Sequence, residues 1–280
     1  MSGVAESLFA ALLPSDCRLC GTPLANISRL PVCLPCLSKI QPIEGGTCSV
    51  CGQRLLSPHA VVPEAVEARC GLCQRAARPF VRAVAYGSYD GGLQELIHLL
   101  KYEQVRPAAG VLGRMLADAV AVLESRWSQP QIMVVSVPLH ARKLRQRGFN
   151  QTELIVREAL KVSAEAGSLV LHSDILERRR ETRSQIGLTR HQRRENIRGA
   201  FAVRKPNAGK PDLVSGREIL LVDDVFTTGT TVSECARVLL QAGASKIYVA
   251  TVARTPKVDA KGLSLLRTFG EDEETLAKAV

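Results

Sequence analysis

Ile219-Leu220-Leu221-Val222-Asp223-Asp224-Val225-Phe226-Thr227-Thr228-Gly229-Thr230-Thr231 runs from an apolar segment through two adjacent carboxylates into a turn of hydroxyls and glycine. Four consecutive apolar residues, Ile219–Val222, read as a short strand buried on both faces, the condition of a strand inside a parallel sheet. Thr230–Gln241 then reads as a helix with Val232, Cys235, Val238 and Leu239 on its inner face, stopping near Gly243. Such a strand delivers the turn to the carboxyl edge of the sheet, where α/β proteins bind ligands. Gly229 lets the backbone approach an anion closely. The amides that open the helix, with the threonine hydroxyls, donate to a phosphate. Asp223 and Asp224 repel phosphate, but they suit vicinal sugar hydroxyls or a metal ion beside them.

The same alternation extends on both sides of this stretch. Val81–Tyr86, Ile132–Val137 and Lys246–Val252 read as strands, and Leu169–Leu176 as a further one. Leu93, Leu96, Ile97 and Leu100 share one helix face. Val111, Leu112, Met115 and Leu116 share the next, and Asn150 with Glu153 marks another helix start. Repeated strand–helix units imply a parallel sheet covered on both faces. Two segments read as loops: the basic Leu139–Phe149, and Arg178–Arg198, whose length marks it as functional or mobile.

Before residue 80 the character is different. Residues 10–79 hold no Phe, Tyr or Trp but 8 of the 14 prolines, which leaves little for a hydrophobic core or long helices. Eight of the nine cysteines lie there as four CxxC pairs: Cys17/Cys20, Cys33/Cys36, Cys48/Cys51 and Cys70/Cys73. This pattern reads as two four-cysteine zinc sites, structural because every thiolate is consumed. Sequential and interleaved pairings both fit the spacing. His59 reads as a surface residue, and Cys235 as a small buried one.

The chain has 280 residues and a formal net charge of +10. A basic balance favours polyanionic partners, either nucleic acid or a multiply phosphorylated small molecule. Most of the excess sits in 137–200, with 14 Lys/Arg against 7 Asp/Glu. No stretch approaches the ~20 apolar residues of a membrane span. The start lacks the charged region of a secretory signal. The expectation is a cytoplasmic protein.

The Asp223–Thr231 stretch resembles the phosphoribosyl pyrophosphate (PRPP) loop of type I phosphoribosyltransferases. With Val137–Gln151, Gln185–Leu188, Arg193–Asn196, Gly199–Phe201 and the cysteine module, the chain over about 8–255 resembles the ComF family, which is associated with DNA uptake in competence. The resemblance implies an α/β fold: a phosphoribosyltransferase-like parallel sheet flanked by helices, with a small N-terminal double zinc ribbon. The implied divisions are a short helix at 1–13, the ribbons at 14–79, the transferase-like domain at 80–255 and a tail at 256–280.

The resemblance also assigns roles. Thr227, Thr228, Gly229, Thr230 and Thr231 would hold the 5-phosphate of Mg2+–PRPP. Asp223 and Asp224 would contact the ribose hydroxyls. Arg142, Arg145, Arg147 and Gly148 would form the pyrophosphate loop, with Arg147, Asp223 and Asp224 catalytic. Arg178–Arg198 would be a mobile catalytic loop. Lys101 and Tyr102 fit the family pattern and equally a solvated surface. Where 6-oxopurine enzymes carry an acidic proton acceptor, this chain has Thr227. Two functions follow: phosphoribosyl transfer, or a non-catalytic accessory role on single-stranded DNA or competence proteins.

Overall fold

The computed structural model describes residues 16–24, 28–55, 68–163, 167–182, 189–204 and 213–256. The expected N-terminal helix, His59, Gln185–Leu188 and the tail beyond residue 256 lie outside the described residues.

Two short helices in the cysteine region, α1 (Leu34–Ser38) and α2 (Gly71–Arg75), each follow a cysteine. The sheet strands and helices then alternate: β1 (Arg82–Ser88), α3 (Gly91–Tyr102), α4 (Ala108–Ala121), β2 (Ile132–Ser136), α5 (Ala141–Arg147), α6 (Gln151–Val162) and β3 (Leu169–Leu171). After these come β4 (Leu176–Arg178), α7 (Arg190–Ile197), β5 (Phe201–Val203), β6 (Glu218–Phe226), α8 (Thr230–Gln241) and β7 (Lys246–Arg254).

Five strands form one sheet in the order β1-β7-β6-β2-β3, and every pairing in it is parallel. β6 lies at its centre because Ile219–Val222 are at most 1% exposed and need cover on both faces. One face packs Leu220, Val222 and Tyr248 against Leu96, Leu100, Leu112 and Ile155 of α3, α4 and α6. The other packs Leu221, Ile247 and Val249 against Val232, Cys235 and Leu239 of α8, with Leu176 and Phe201 of the β4–β5 hairpin.

The cysteine region is fastened to both faces. Cys17, Val32 and Ile40 join the first core, and Cys48, Cys51 and Cys73 join the second. Backbone bonds tie it to β1: Ile43 N donates to Tyr86 O at 2.7 Å and Ala83 N to Val50 O at 2.8 Å.

Three expectations need correction. Leu139–Phe149 contains a helix, α5, capped by His140 Nδ1 at its start and ended by Gly148 at φ 79°. It lacks an apolar stripe because it lies on the surface, where even Leu144 is 42% exposed. Leu169–Leu176 is divided: β3 ends at Leu171, and Leu176 opens β4 in a separate hairpin. Arg178–Arg198 contains α7, nucleated by a reciprocal capping box between Thr189 and Gln192.

Candidate functional site

β6 runs past Val222 to Phe226, because β7 is equally long and pairs with it as far as Arg254. The carboxylate pair therefore sits inside the last turn of the ladder, with Asp223 opposite Thr251. Gly229 follows at φ 74° as the N-cap of α8. The Thr228 and Thr230 hydroxyls are 2.7 Å apart across it.

The turn rests on Phe226. A Cβ at Gly229 would collide with the Phe226 ring, which Phe80 meets edge-on at 6.3 Å and the Arg254 guanidinium covers at 4.3 Å. Gly229→Val therefore places a branched residue in a left-handed conformation costing ~1–2 kcal/mol and forces the ring away. The expected result is loss of phosphate binding by tenfold or more together with a lower melting temperature, read by calorimetry with ribose 5-phosphate and by thermal shift.

Asp224 is held by neighbours on two helices. Lys101 Nζ of α3 lies 2.8 Å from its Oδ1, and Gln151 Nε2 of α6 donates to its Oδ2 at 2.7 Å. Arg147, at the end of α5, donates to Gln151 Oε1 and lies over the Tyr102 ring at 5.7 Å. Arg147 thus reaches Asp224 through Gln151. Burial opposes charge on both Lys101 and Asp224, but their mutual attraction wins. Lys101 is raised and Asp224 lowered from their ordinary values. Asp223 makes no ion pair among the described residues. Its enclosure, with the Asp224 charge beside it, pushes its pKa up to about 7.

The expected site residues therefore separate. Asp223, Asp224, the Thr227–Thr231 turn, Arg147 and Gly148 gather at the carboxyl ends of β6 and β2. Arg145 and Arg142 stand out in solvent on α5, where Arg142 meets Glu181 at 3.5 Å. Lys101 is no surface residue. Its place four residues after Ile97, on the apolar face of α3, was the available signal. Gln151 carried no assigned role, although it follows the cap residue Asn150.

The cysteines form two clusters in sequential order: Cys17, Cys20, Cys33, Cys36 and Cys48, Cys51, Cys70, Cys73, each with all Sγ atoms within 4.8 Å of one another. A tetrahedral zinc site with Zn–S of ~2.3 Å has sulfur–sulfur edges of about 3.8 Å. Cys20–Cys33 at 3.7 Å and Cys51–Cys70 at 3.6 Å fit that figure.

Comparison with known proteins agrees with this arrangement. The family described as "Phosphoribosyl transferase domain" matches residues 162–261, the stretch that contains the carboxylate pair and the turn. Over 250 residues the chain is 34% identical to "DNA utilization protein YhgH" of Escherichia coli O157:H7, covering 87% of this chain and 98% of that protein. "Competence protein F" of Haemophilus influenzae is 28% identical over 79% of this chain and 96% of its own length. "Competence protein ComFC" of Bacillus subtilis is 27% identical over 76% of this chain and 79% of its own length. The chain belongs to the ComF family. At 87% of this chain, the similarity to the first of these ComF relatives extends well beyond the 162–261 stretch. No helix among the described residues of this ComF chain is long and apolar enough to cross a membrane.

Proposed function

We propose that the chain binds Mg2+–PRPP at Asp223–Thr231 and transfers its phosphoribosyl group to a nitrogen acceptor. One observation carries the reading: the carboxylate pair of a central parallel strand leads directly into a glycine turn and a helix start, with Arg147, Gln151 and Lys101 converging on it. The α8 amides and the hydroxyls of Thr227, Thr228, Thr230 and Thr231 receive the 5-phosphate. Asp223 accepts from the ribose hydroxyls. Asp224 is the fixed post that sets its position. Arg147, next to Gly148 at the end of α5, neutralises the diphosphate. The ribose C1–O bond breaks with its electron pair leaving on diphosphate, and a C1–N bond forms. Positioning and charge stabilisation are the protein's contributions. Mg2+ would enter with the diphosphate and share its charge, and the metal of the cysteine clusters is Zn2+.

Calorimetry with millimolar Mg2+–PRPP tests the site, and the absence of both heat and thermal shift would sink it. The pH dependence adds a sharper expectation. Asp223 titrates at about 7, so its acceptor form falls away as pH drops from 8 to 6. Affinity for ribose 5-phosphate should weaken by up to about tenfold from pH 8 to pH 6, roughly fivefold of it below pH 7. Asp223→Asn should leave only the dependence contributed by the ligand's own phosphate.

A second reading, binding of single-stranded nucleic acid, is favoured by the exposed face of α5, where Arg142, Lys143 and Arg145 all face solvent. It accords with the names of the relatives. Arg178, Arg179 and Arg180 are poorer candidates: Arg178 packs on Phe201, Arg179 pairs with Glu177, and Arg180 donates to the Asn196 and Arg198 carbonyls. Replacing Arg142, Lys143 and Arg145 together should weaken binding on every base sequence alike. The slope of affinity against salt should become shallower by ~0.7 for each phosphate that is no longer neutralised.

A further inference from the structure

Beside the phosphate turn the structure has a cleft of about 1160 Å³ between α7, the start of α8 and the Ala76–Pro79 segment that leads from the second cysteine cluster to β1. Thr228 and Thr230 of the turn line it, so it is continuous with the place assigned to the 5-phosphate. Its volume exceeds the ~300–1,000 Å³ of pockets that enclose drug-sized molecules. That is far more than a phosphate needs.

Its walls are mixed in chemistry. Ala76, Ala77 and Pro79 supply apolar surface, and Arg78, Arg194 and Arg198 supply positive charge. Arg237 is already neutralised by Glu234 at 2.7 Å, and Glu234 also accepts from Gly199 N at 2.8 Å. Glu195 is the remaining acid, against Arg78, Arg194 and Arg198, of which only Arg198 feels the Glu234 charge and none is within ion-pair distance of an acid among the described residues. Among the described residues, the Ser233 hydroxyl and Arg78 Nε, both from lining residues, have no hydrogen-bond partner although they are shielded from solvent. Donors left without acceptors are costly, and a small rotation of either side chain towards an anion in the cleft relieves that cost.

We propose that this cleft seats a nucleotide joined through the phosphate held at Thr228–Thr230. The ligand is then a phosphodiester, extended on the 5′ side of the sugar in the site. That sugar presents free hydroxyls to Asp223, so the nucleotide in the site is the 3′-terminal one of a nucleic acid strand. Arg78 and Arg198 meet the backbone charge, and the apolar wall meets the penultimate nucleoside. A strand end and PRPP exclude each other, because both place a phosphate on the same turn. This inference rests on the phosphate-turn reading above.

Calorimetry on the full chain separates the outcomes, using uridine 5′-monophosphate, uridine 5′-diphosphate and the dinucleotide uridylyl-(3′→5′)-uridine. The dinucleotide should bind at least tenfold more tightly than the monophosphate and be displaced by ribose 5-phosphate. Adding a 3′-phosphate to it should abolish binding. Arg78→Ala with Arg198→Ala should erase the gain of the dinucleotide while leaving the monophosphate unchanged. A dinucleotide no tighter than the monophosphate overturns the proposal. So does an equal gain with the diphosphate, which would make the cleft a small-molecule diphosphate subsite. If PRPP and ribose 5-phosphate bind but the dinucleotide gains nothing, the cleft alone is misassigned. If neither binds, the phosphate turn itself is misread, and the cleft proposal falls with it.

Discussion

A chelator that strips both four-cysteine clusters is expected to unfold the cysteine region and to lower the melting temperature of the remainder by about 10 °C. Structural zinc contributes ~10–16 kcal/mol of apparent binding free energy in small modules, and little here could replace it. Among the described residues, the buried apolar ones before Phe80 are Cys17, Val32, Ile40, Cys48, Cys51 and Cys73, so most of that interior is the ligand set itself. The effect reaches the sheet through Arg254. That side chain is 4% exposed, donates to Cys51 O and Gln53 Oε1, and lies 3.6 Å from Cys51 Sγ. Its charge complements the thiolates, and burial otherwise works against it. Loss of the metal leaves a buried cation without partners, of the kind that costs ~3–5 kcal/mol. Arg254 also covers Phe226, on which the Gly229 turn rests, so phosphate binding should fall with the metal. Metal analysis should return about two zinc per chain for these ligand sets. Near-zero metal in a folded protein with oxidised thiols would refute the assignment.

Lys101→Met and Asp224→Leu are each expected to destabilise the chain by ~3–5 kcal/mol, the cost of leaving one member of a buried pair behind. The side chains are 15% and 8% exposed, so solvent does little to replace the lost partner. Lys101→Met has the further consequence of removing the cation whose attraction acts on both Asp223 and Asp224. The double variant should recover part of the loss in urea denaturation but none of the ligand affinity. Asp224→Asn keeps the shape but loosens the grip of Lys101 and Gln151 that sets Asp223, and should weaken PRPP about ten- to hundredfold, the ~1.5–3 kcal/mol of a charged hydrogen bond lost to that grip. The Asp224 pKa is depressed in the folded state, so its contribution is present at neutral pH and is lost as pH falls through the acid range. Single variants within ~0.5 kcal/mol of the parent would mean the pair behaves as a solvated surface contact.

The sheet and its turn were readable because their periodicity is strong. Ile219–Val222 admits little but a buried strand, and Thr230–Gln241 matches the observed α8 end to end. The two helices that were missed, α5 and α7, carry one large apolar residue each, Leu144 and Ile197, and a single such residue sets no hydrophobic period. Their signals were of another kind: helix-forming Arg, Lys, Leu and Gln between His140 and Gly148, and the Thr189/Gln192 box. The engagement of Asp224 was invisible for a different reason. It joins residues 101, 151 and 224, which only the sheet order brings together. Sequential cysteine pairing likewise required coordinates, because spacing admitted both arrangements.

β1 takes its strand pairing in the sheet from β7, with Arg82 opposite Tyr248 and Ser88 opposite Arg254. On the ribosome, at about 5–20 residues per second, β1 therefore waits on the order of ten to thirty seconds for its partner. An unpaired strand in that interval is a template for association with other nascent chains. The contacts from Ile43 and Val50 to β1 come from residues that have already emerged. Metal capture by the first-made segment thus precedes closure of the sheet, and it gives the nascent strand a neighbour before its permanent one exists. Synthesis under zinc limitation should for this reason yield more aggregated chain than the same limitation imposed after folding is complete.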